Sequence, residues 1–413
     1  MRENLLEILQ CTYCGSSLDL EGGAGLRRHG DEITTGILRC QCATYPVVDG
    51  IPVMLAGYGG DADFQRMLSD DPELALFAML ELDEERQAAF KRLLAKTDAG
   101  TYQELVALFC PGPEGLYYVH RLSNPTYVVG QAVLRAVGGE RGCFTRRAID
   151  LCGGSGHLTR TLCEISDDAE VVLTETNFWK LWLARQALAP RCVPVYCDAE
   201  LPLPFKRGSF SFALCSDAFH YIWSKRLFAC EMMRLVGEDG VIILNHLHNA
   251  LRTNYSAGLP LAPKWWRNLV AEMGARVFKE SELLDSVIEH SAIDLSHNYS
   301  DEELSDEQAL FLIATRLEGL FRAYDYSGAE FTSGVWRINP LYELEHRGSS
   351  AVLRLQFPPE SYEDEYNACK RYLPECVELT TGELSSLATG DWDGRLRELA
   401  DRYVLLNVPR GYL

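Results

Sequence analysis

The chain has 413 residues, of which 47% are hydrophobic and 24% are charged, and its formal net charge at pH 7 is −20. These proportions are those of a globular protein with room for two or three domains. The acidic balance disfavours nucleic acid as a partner, because binding to phosphates needs a basic surface. We find neither an apolar run that could span a bilayer nor a signal peptide, so we expect a cytoplasmic protein without a membrane partner.

Two close pairs of cysteines mark the first unit, residues 1–58. Cys11 and Cys14 form a C-x2-C knuckle, and Cys40 and Cys42 follow as a C-x-C pair. Four thiolates in two pairs suit a structural zinc ion, which takes four ligands in a tetrahedron. A segment this short cannot bury a sufficient core by itself, so the metal would supply folding free energy. The spacing therefore predicts a zinc-bound domain, and the alternative is a ribbon that has lost its metal.

A strand, a turn and a second strand are predicted over 44–55, with Asp49 and Gly50 at the turn. Together with the cysteine pairs, the segment Tyr-Pro-Val-Val-Asp-Gly-Ile-Pro-Val-Met-Leu resembles a family of small zinc-ribbon proteins. Members of that family bind and activate tRNA and protein methyltransferases as separate subunits. The resemblance covers roughly residues 5–56 and implies a built-in activator domain. The C-x-C pair departs from the family's usual C-x2-C spacing.

Residues 59–123 are predicted to form a helical collar between this unit and the next. Apolar residues recur there at intervals of three and four, after the glycine-rich stretch Gly57–Asp63 and before the breakers in Pro111–Gly115. Tyr117 and Tyr118 come directly before the next unit. They could line a ligand pocket, although packing is the commoner role for such residues.

The next unit, residues 124–275, contains the most informative stretch of the chain. An apolar strand over Arg147–Leu151 carries Asp150, runs into the small-residue loop Gly153–Gly156, and continues into a helix that begins near His157. Glycines let the backbone turn sharply and let a ligand approach closely, and the helix start offers free N–H groups. Asp150 would repel a phosphate. The loop therefore suits a cationic or hydroxyl-bearing small molecule better.

Two further predicted strands end in a carboxylate. Ala169–Glu175 ends in Glu175, about 25 residues after Asp150, and Val193–Asp198 ends in Asp198. The first spacing is the one at which nucleotide-binding α/β folds place an acid against ribose hydroxyls. The alternation of strands and helices predicts an α/β fold with a parallel, doubly wound, Rossmann-like sheet.

The loop that starts at Asp150 resembles the D-x-G-x-G-x-G motif of class I S-adenosylmethionine (SAM) methyltransferases, with Cys152 at the first glycine position. The Leu-Pro-Phe at 203–205 and the strand Ser211–Cys215 also resemble that family. The resemblance implies a SAM-dependent methyltransferase in which Asp198 binds the adenine, while Glu175 would bind the ribose. The other residues assigned to the cofactor site are Asp150, Cys152, Gly154, Gly156 and Ser216.

Three histidines follow predicted strands, at the sheet edge where open α/β folds bind ligands. His220 follows the fourth strand, and His246 and His248 follow the fifth. A neutral imidazole near pH 7 accepts a proton well from a phenol, hydroxyl or amine, so each histidine is a candidate catalytic residue. Period-two spacing puts His246 and His248 on one face of an extended segment. One alternative is that the two histidines bind a metal ion together, although no third ligand is evident. Another is that each histidine only makes a hydrogen bond at the rim of the sheet.

Residues 276–413 are expected to form a cap over the substrate. Helices are predicted at Ser281–Glu289 and Glu302–Leu320, and strands at Ala351–Phe357 and Arg402–Pro409. The two strands are either the last strands of the core sheet or part of a separate α+β extension.

These patterns predict a SAM-dependent methyltransferase of a small organic molecule, such as a specialised metabolite, with a structural zinc ion. Such an enzyme aligns the methyl acceptor and takes up its proton. Two other functions stay open, namely methylation of RNA or protein and a SAM-binding scaffold without catalysis. Because the ribbon family acts by binding partners, a protein partner or a homo-oligomer is open as well.

Overall fold

The protein has a small cysteine-bearing sheet, a group of helices, and a large sheet with an α+β extension. In the computed structural model the described residues are 1–23, 25–55, 57–95, 100–140, 142–166, 169–254, 256–290, 292–326, 333–348, 350–389 and 394–413. Within these ranges no helix has both the length and the apolar character needed to cross a membrane.

The first 58 residues are here called the N-terminal ribbon, and the described part of them contains a small antiparallel sheet. Its strands β1 to β5 are Asp19–Leu20, Arg27–His29, Glu32–Arg39, Thr44–Val48 and Ile51–Pro52. The strand β3 pairs with β1, β2 and β4, and β4 pairs with β5. Asp49 and Gly50 join β4 to β5 with φ of 45° and 76°. Positive φ at both positions is the geometry that an Asp-Gly hairpin turn favours, so the strand–turn–strand prediction is confirmed.

Among the described residues, five α-helices lie between the N-terminal ribbon and the core. In the first four, a side chain caps the helix by accepting hydrogen bonds from the first backbone N–H groups, which fixes where each helix begins. The capping residues are Asp61, Asp71, Asp83 and Thr101. The helices α1 to α5 span Ala62–Asp70, Pro72–Met79, Glu84–Leu94, Tyr102–Phe109 and Pro113–His120.

Strands and helices then alternate over most of the chain up to α11, as the apolar runs predicted. The strands β6 to β14 are Arg147–Leu151, Val171–Glu175, Val193–Tyr196, Phe210–Ser216, Val241–His248, Ala275–Lys279, Ala292–Asp294, Ala309–Ala314 and Ala323–Asp325. The helices α6 to α11 are Pro125–Gly138, His157–Ile165, Phe178–Leu183, Lys225–Val236, Pro263–Leu269 and Glu280–His290.

Seven of these strands form the core sheet, in the order β11-β13-β10-β9-β6-β7-β8. The strand β13 runs antiparallel to both neighbours, and the pairs from β10 to β8 are parallel. The predicted α/β class, a doubly wound Rossmann-like methyltransferase sheet, is confirmed. The strand order reverses beside β6, and ligands of such sheets bind at the carboxyl ends of the strands at that point.

One predicted helix is wrong. Residues 309–314, inside the predicted helix Glu302–Leu320, form the strand β13 in the core sheet. Five of its six residues are buried, and a short apolar run buried on both faces has the same hydrophobic pattern as a segment of buried helix. The helix predicted at Ser281–Glu289 is confirmed as α11.

The predicted cap 276–413 is divided, because β11 and β13 belong to the core sheet. The described residues from 333 to 413, here called the C-terminal extension, are α+β, and their strands stay outside the core sheet. The strands β15 to β19 are Val335–Ile338, Tyr342–Arg347, Ser350–Leu355, Cys376–Thr380 and Leu405–Val408, and the helices α12 to α14 are Glu360–Glu365, Thr381–Thr389 and Gly394–Asp401. The strands predicted at Ala351–Phe357 and Arg402–Pro409 are expected to be either the last strands of the core sheet or part of a separate α+β extension. The first alternative is wrong. These segments contribute to β17 and β19, which pair only with strands of the extension among the described residues.

The N-terminal ribbon packs on the edge strand β8. The N–H of Met54 donates to the carbonyl of Tyr196 at 2.7 Å, and Val53 bridges the same residue in parallel register. Farther along, the N–H of Lys206 donates to the carbonyl of Ile8 at 2.8 Å. A free edge strand is a template for unwanted pairing, and these contacts cover it.

Candidate active site

The loop between β6 and α7 turns with three residues at positive φ. They are Cys152 at 56°, Gly154 at 58° and Gly156 at 91°. At Gly153 a Cβ would lie 2.5 Å from the Leu173 side chain and 2.6 Å from the Asp150 carboxyl, so only glycine lets the loop pass this close. The helix α7 begins at His157, as predicted.

Asp150 lies beneath this loop and is 1% exposed. Its Oδ2 accepts a hydrogen bond from the Thr159 hydroxyl at 2.6 Å, while its Oδ1 has no hydrogen-bond partner among the described residues. Burial raises the pKa of this carboxyl to about 7. A buried acceptor without a partner is costly, and a ligand that donates a hydrogen bond or carries positive charge would satisfy it.

The two other acids lie at the ends of neighbouring strands. Glu175 ends β7, and its carboxylate accepts hydrogen bonds from the N–H of Gly154 at 3.2 Å and from the N–H of Thr176 at 2.8 Å. Asp198 follows β8 and accepts from the N–H of Glu200 at 2.8 Å. The bond to Gly154 holds the Glu175 carboxylate directly beside the glycine loop.

A cavity of about 710 Å³, here called the cofactor cavity, joins these groups. Six of the seven residues predicted to bind the cofactor line it: Asp150, Cys152, Gly154, Glu175, Asp198 and Ser216. Gly156 is not among the lining residues. A Cβ on Gly156 would lie 2.9 Å from that of Ala184, so this glycine permits packing behind the loop. Tyr117 and Tyr118 both line the cavity.

Cys152 is held as a neutral thiol. A hydrogen bond with Cys215, together with burial, raises the pKa of Cys152 well above its usual range. Thiolates are the nucleophilic form of cysteine, so this environment disfavours a nucleophilic role. Its positive φ is the conformation for which the motif usually has glycine.

The next part of the site is held by an ion pair, which the sequence did not reveal. The guanidinium of Arg121 and the hydroxyl of Tyr117 both donate to Asp217 Oδ2 at 2.8 Å. Burial opposes ionisation of Asp217, but Arg121 and the neighbouring histidines outweigh it and lower its pKa to about 2. Asp217 follows β9 directly, and the same rule that singled out Glu175 and Asp198, an acid after a strand, could have found it.

The three candidate histidines meet at Asp217. The rings of His220 and His248 stack with centroids 3.6 Å apart, and those of His246 and His248 are 5.3 Å apart. From Asp217 Oδ1 the distances are 3.9 Å to His246 Nε2 and 4.0 Å to His220 Nε2. The three histidines and Asp217 are together called the histidine cluster.

The protonation states within the histidine cluster differ. Burial lowers the pKa of His220 to about 3 and that of His248 to about 4, which keeps both neutral at pH 7. For His246 burial also opposes the charge, but Glu280 and Asp217 outweigh it and raise its pKa to about 9. The expectation of a neutral imidazole therefore does not hold for His246 in this arrangement, because Glu280 Oε1 lies 2.9 Å from its Nδ1.

A second cavity of about 170 Å³ lies on the other side of the histidine cluster. His246 and His248 line it, together with Glu280. Three residues line both cavities: Ser256, Glu365 and Tyr366. Glu280 and Glu365 carry no local pattern in the sequence, since each reaches the site from an element distant along the chain.

The four cysteines of the N-terminal ribbon also converge. Their sulfur atoms all lie within 4.8 Å of one another, with 3.9 Å between Cys14 and Cys40 and 3.6 Å between Cys40 and Cys42. A tetrahedral zinc ion with Zn–S bonds of about 2.3 Å separates its sulfur ligands by about 3.8 Å. The donor set therefore fits zinc, including the C-x-C pair.

Comparison with known proteins agrees with this geometry. Residues 148–240 match the family model of a methyltransferase domain. The sequence matches none of the curated proteins.

Solved structures with a similar fold include an S-adenosylmethionine-dependent methyltransferase from Mesorhizobium loti, with 16% identity over 46% of this chain and 96% of that one and a TM-score of 0.33. The CurJ carbon methyltransferase shares 14% identity over 59% of this chain and 70% of its own, with a TM-score of 0.35. A structure of the Haloferax volcanii Trm112 methyltransferase activator in complex with a methyltransferase shows 12% identity over 49% and 92%, with a TM-score of 0.33.

The chain thus has a methyltransferase domain, and its enzyme class is that of the SAM-dependent methyltransferases, as predicted. The glycine loop that carried the prediction lies inside the matched residues.

Proposed function

We propose that this SAM-dependent methyltransferase acts on a small organic molecule, as in specialised-metabolite biosynthesis. The observation that carries the proposal is that the C-terminal extension forms part of the wall of the cofactor cavity. Tyr362, Glu365 and Tyr366 of the extension line the cofactor cavity together with the glycine loop. The hydroxyl of Tyr362 donates to Asn124 Oδ1 at 2.5 Å, which fastens α12 to the core. We expect this wall to limit the space beside the cofactor, which favours a small acceptor.

The cofactor supplies an electrophilic methyl group on a sulfonium, and the protein's part is to hold and orient it. We assign the amino-acid portion to the loop over Asp150 and Gly154, the ribose hydroxyls to Glu175, and the adenine to Asp198. Cys152 and Ser216 would contact the cofactor from the floor of the cavity. Gly156 supports the loop by packing. Each carboxylate offers acceptors to hydroxyl or amino donors, as the recognition of a nucleoside requires.

The acceptor is proposed to reach the histidine cluster. His246 and His248 line the smaller cavity, and His220 stacks on His248. Enclosure of the acceptor there would exclude water and align it with the methyl group. Because burial lowers the pKa of His220 to about 3 and that of His248 to about 4, these imidazoles would orient the acceptor, and its proton would pass to water.

Titration calorimetry with SAM tests the cofactor assignment. The wild-type protein should bind SAM, and Glu175→Gln should weaken binding by about 10- to 100-fold, because it removes hydrogen bonds to a charged acceptor. Glu238→Gln is a matched control, since the Glu238 side chain is 84% exposed. Folded wild-type protein that fails to bind SAM would contradict the proposal.

The substrate class is tested by isotope transfer. With methyl-labelled SAM and a fractionated cell extract, the label should enter the small-molecule fraction. Label that enters only RNA would favour the nucleic-acid alternative, and label that enters only protein would favour the protein alternative.

We further propose that Cys11, Cys14, Cys40 and Cys42 bind a structural zinc ion. The purified protein should contain zinc, and Cys14→Ser should lose most of the zinc held by thiolates and lower the melting temperature. Cys230→Ser, at another exposed cysteine, should change neither. Equal zinc content in the two variants would exclude the cysteine site.

A further inference from the structure

Three potential metal ligands converge where the two cavities meet. Asp217, His246 and His248 each offer one ligand atom, and these atoms lie within 4.8 Å of one another. Asp217 lines the cofactor cavity, and the two histidines line the smaller one. The group therefore lies between the proposed methyl donor and the space left for the acceptor.

The hydrogen bonds around His246 leave one nitrogen directed at this point. Its Nδ1 lies 2.9 Å and 3.0 Å from the two Glu280 oxygens and 3.0 Å from the Thr126 hydroxyl. Its Nε2 is the nitrogen that faces Asp217 Oδ1. In metal sites, a carboxylate commonly holds the outer nitrogen of a ligating histidine in this way and fixes its tautomer.

Buried nitrogen atoms without partners point to a missing ligand. His248 is 5% exposed and His220 is fully buried. Among the described residues, His248 Nδ1 and both ring nitrogens of His220 have no hydrogen-bond partner. Leaving a buried polar group unpaired costs roughly 1 to 3 kcal/mol, so a network that binds nothing would be unfavourable.

The charge around the cluster favours a cation. Among the described residues, Glu280, Glu307 and Glu365 line the smaller cavity with one guanidinium, that of Arg371. Asp217 is paired with Arg121, and the Lys225 ammonium donates to the His220 carbonyl at 3.3 Å, so these carboxylates still outnumber these cations by four to three. A divalent cation bound at this point would offset the excess of negative charge.

We propose that Asp217, His246 and His248 bind a divalent transition-metal cation, whose open coordination positions hold the methyl acceptor through an oxygen or nitrogen atom. Two imidazoles and one carboxylate, with further positions open, form the donor set of several catalytic metal sites. This inference rests on the proposed small-molecule methyltransferase function, whose substrate class it narrows to metal-binding acceptors such as hydroxyl compounds.

The metal would act as a Lewis acid on the acceptor. A hydroxyl bound to the cation would give up its proton more readily, and that proton would leave to water. The acceptor oxygen then forms a bond to the methyl carbon while the carbon–sulfur bond breaks, and the sulfonium becomes a neutral thioether. The net products are the methylated acceptor, the demethylated cofactor and one proton.

Metal titration of the full chain tests the site without any assay of activity. Manganese(II), followed by electron paramagnetic resonance, should bind at one site, since it prefers oxygen and nitrogen ligands to thiolates. His248→Ala should weaken this binding at least tenfold, and His297→Ala, at an exposed histidine, should leave it unchanged. Glu280→Gln should weaken it by a smaller factor, because Glu280 only orients His246.

Cobalt(II) provides a second readout. Bound to the cysteine site it gives thiolate charge-transfer absorption, and bound to the histidine cluster it gives only weak ligand-field bands. The proposal is supported if wild-type protein binds a second equivalent of cobalt without thiolate bands and His248→Ala does not. Failure of both manganese and cobalt to bind outside the cysteines, or equal binding by His248→Ala and wild type, would overturn it.

SAM binding separates this inference from the proposed function. Wild-type protein freed of metal at the histidine cluster should still bind SAM in the calorimeter, because the cofactor ligands are other residues. SAM binding without manganese or cobalt binding would remove the metal site and keep the methyltransferase. Metal binding without SAM binding would keep the metal site and remove the proposed methyltransferase function.

Discussion

His157 illustrates how a single buried side chain links the glycine loop to the end of the chain. It is the first residue of α7 and is 5% exposed. Its Nε2 lies 3.0 Å from the carbonyl of Tyr118 and 3.3 Å from the hydroxyl of Tyr412. Burial, with nearby Arg121 as a smaller cause, lowers the pKa of His157 from 6.5 to about 3.

This shift makes His157 a source of acid sensitivity. Its folded pKa is below its unfolded pKa, so the unfolded state binds the extra proton first, and stability present above pH 6.5 is lost as the pH falls toward 3. Between pH 8 and pH 5 this residue should remove about 2 kcal/mol from the free energy of unfolding. His157→Gln should reduce the measured difference between those two pH values by about that amount in denaturant titrations. His297→Gln, an exposed control, should leave the difference unchanged, and an unaltered difference in His157→Gln would contradict the assignment.

At the scale of elements, the β6–α7 loop depends on Gly153. A side chain there would meet both Leu173 and Asp150 at 2.6 Å or less, and neither neighbour can move far inside the core. Gly153→Ala should therefore lower the free energy of unfolding by about 1 to 3 kcal/mol and weaken SAM binding at least tenfold. Gly139→Ala is the matched control, because a Cβ at that helix end meets nothing within 4 Å. Melting curves measure the stability of both variants, and calorimetry measures their affinity for SAM. Equal stability and equal affinity of the two variants would contradict this account of the loop.

The elements around this loop could be predicted because their signals are local. Asp150, Glu175 and Asp198 each follow from an apolar strand that ends near an acid, and parallel strands bring such ends to one edge. The strand β13 could not be distinguished from a helix, since its buried run has no alternation. Glu280 is a different case. It reaches His246 from the start of α11, 34 residues along the chain, and only the folded sheet reveals the pair.

At the scale of the whole molecule, the N-terminal ribbon and the core share one apolar cluster. Leu5, Leu9 and Tyr45 of the N-terminal ribbon belong to the same buried cluster as Phe205 and Phe210 of the core. Together with the backbone contacts to Tyr196, this burial makes the N-terminal ribbon a part of the fold. Deletion of residues 1–58 should therefore give insoluble or poorly folded protein through exposure of the β8 edge and the apolar cluster. A stable and fully active truncation would contradict this.

Because a deletion can fail for many reasons, one interface contact gives a sharper test. Asp49, at the turn between β4 and β5, accepts hydrogen bonds from Trp182 Nε1 at 3.0 Å and from the Arg185 guanidinium at 2.6 Å. Asp49→Asn keeps the shape and the turn but loses the charge, so it should lower the free energy of unfolding by about 1 to 2 kcal/mol without loss of thiolate-bound metal. Asp31→Asn, in the exposed turn between β2 and β3, is the matched control and should have little effect. Equal stability of the two variants, measured in denaturant, would show that the N-terminal ribbon and the core fold without help from this contact. A loss confined to Asp49→Asn would show that the N-terminal ribbon stabilises the core through the helix that follows β7.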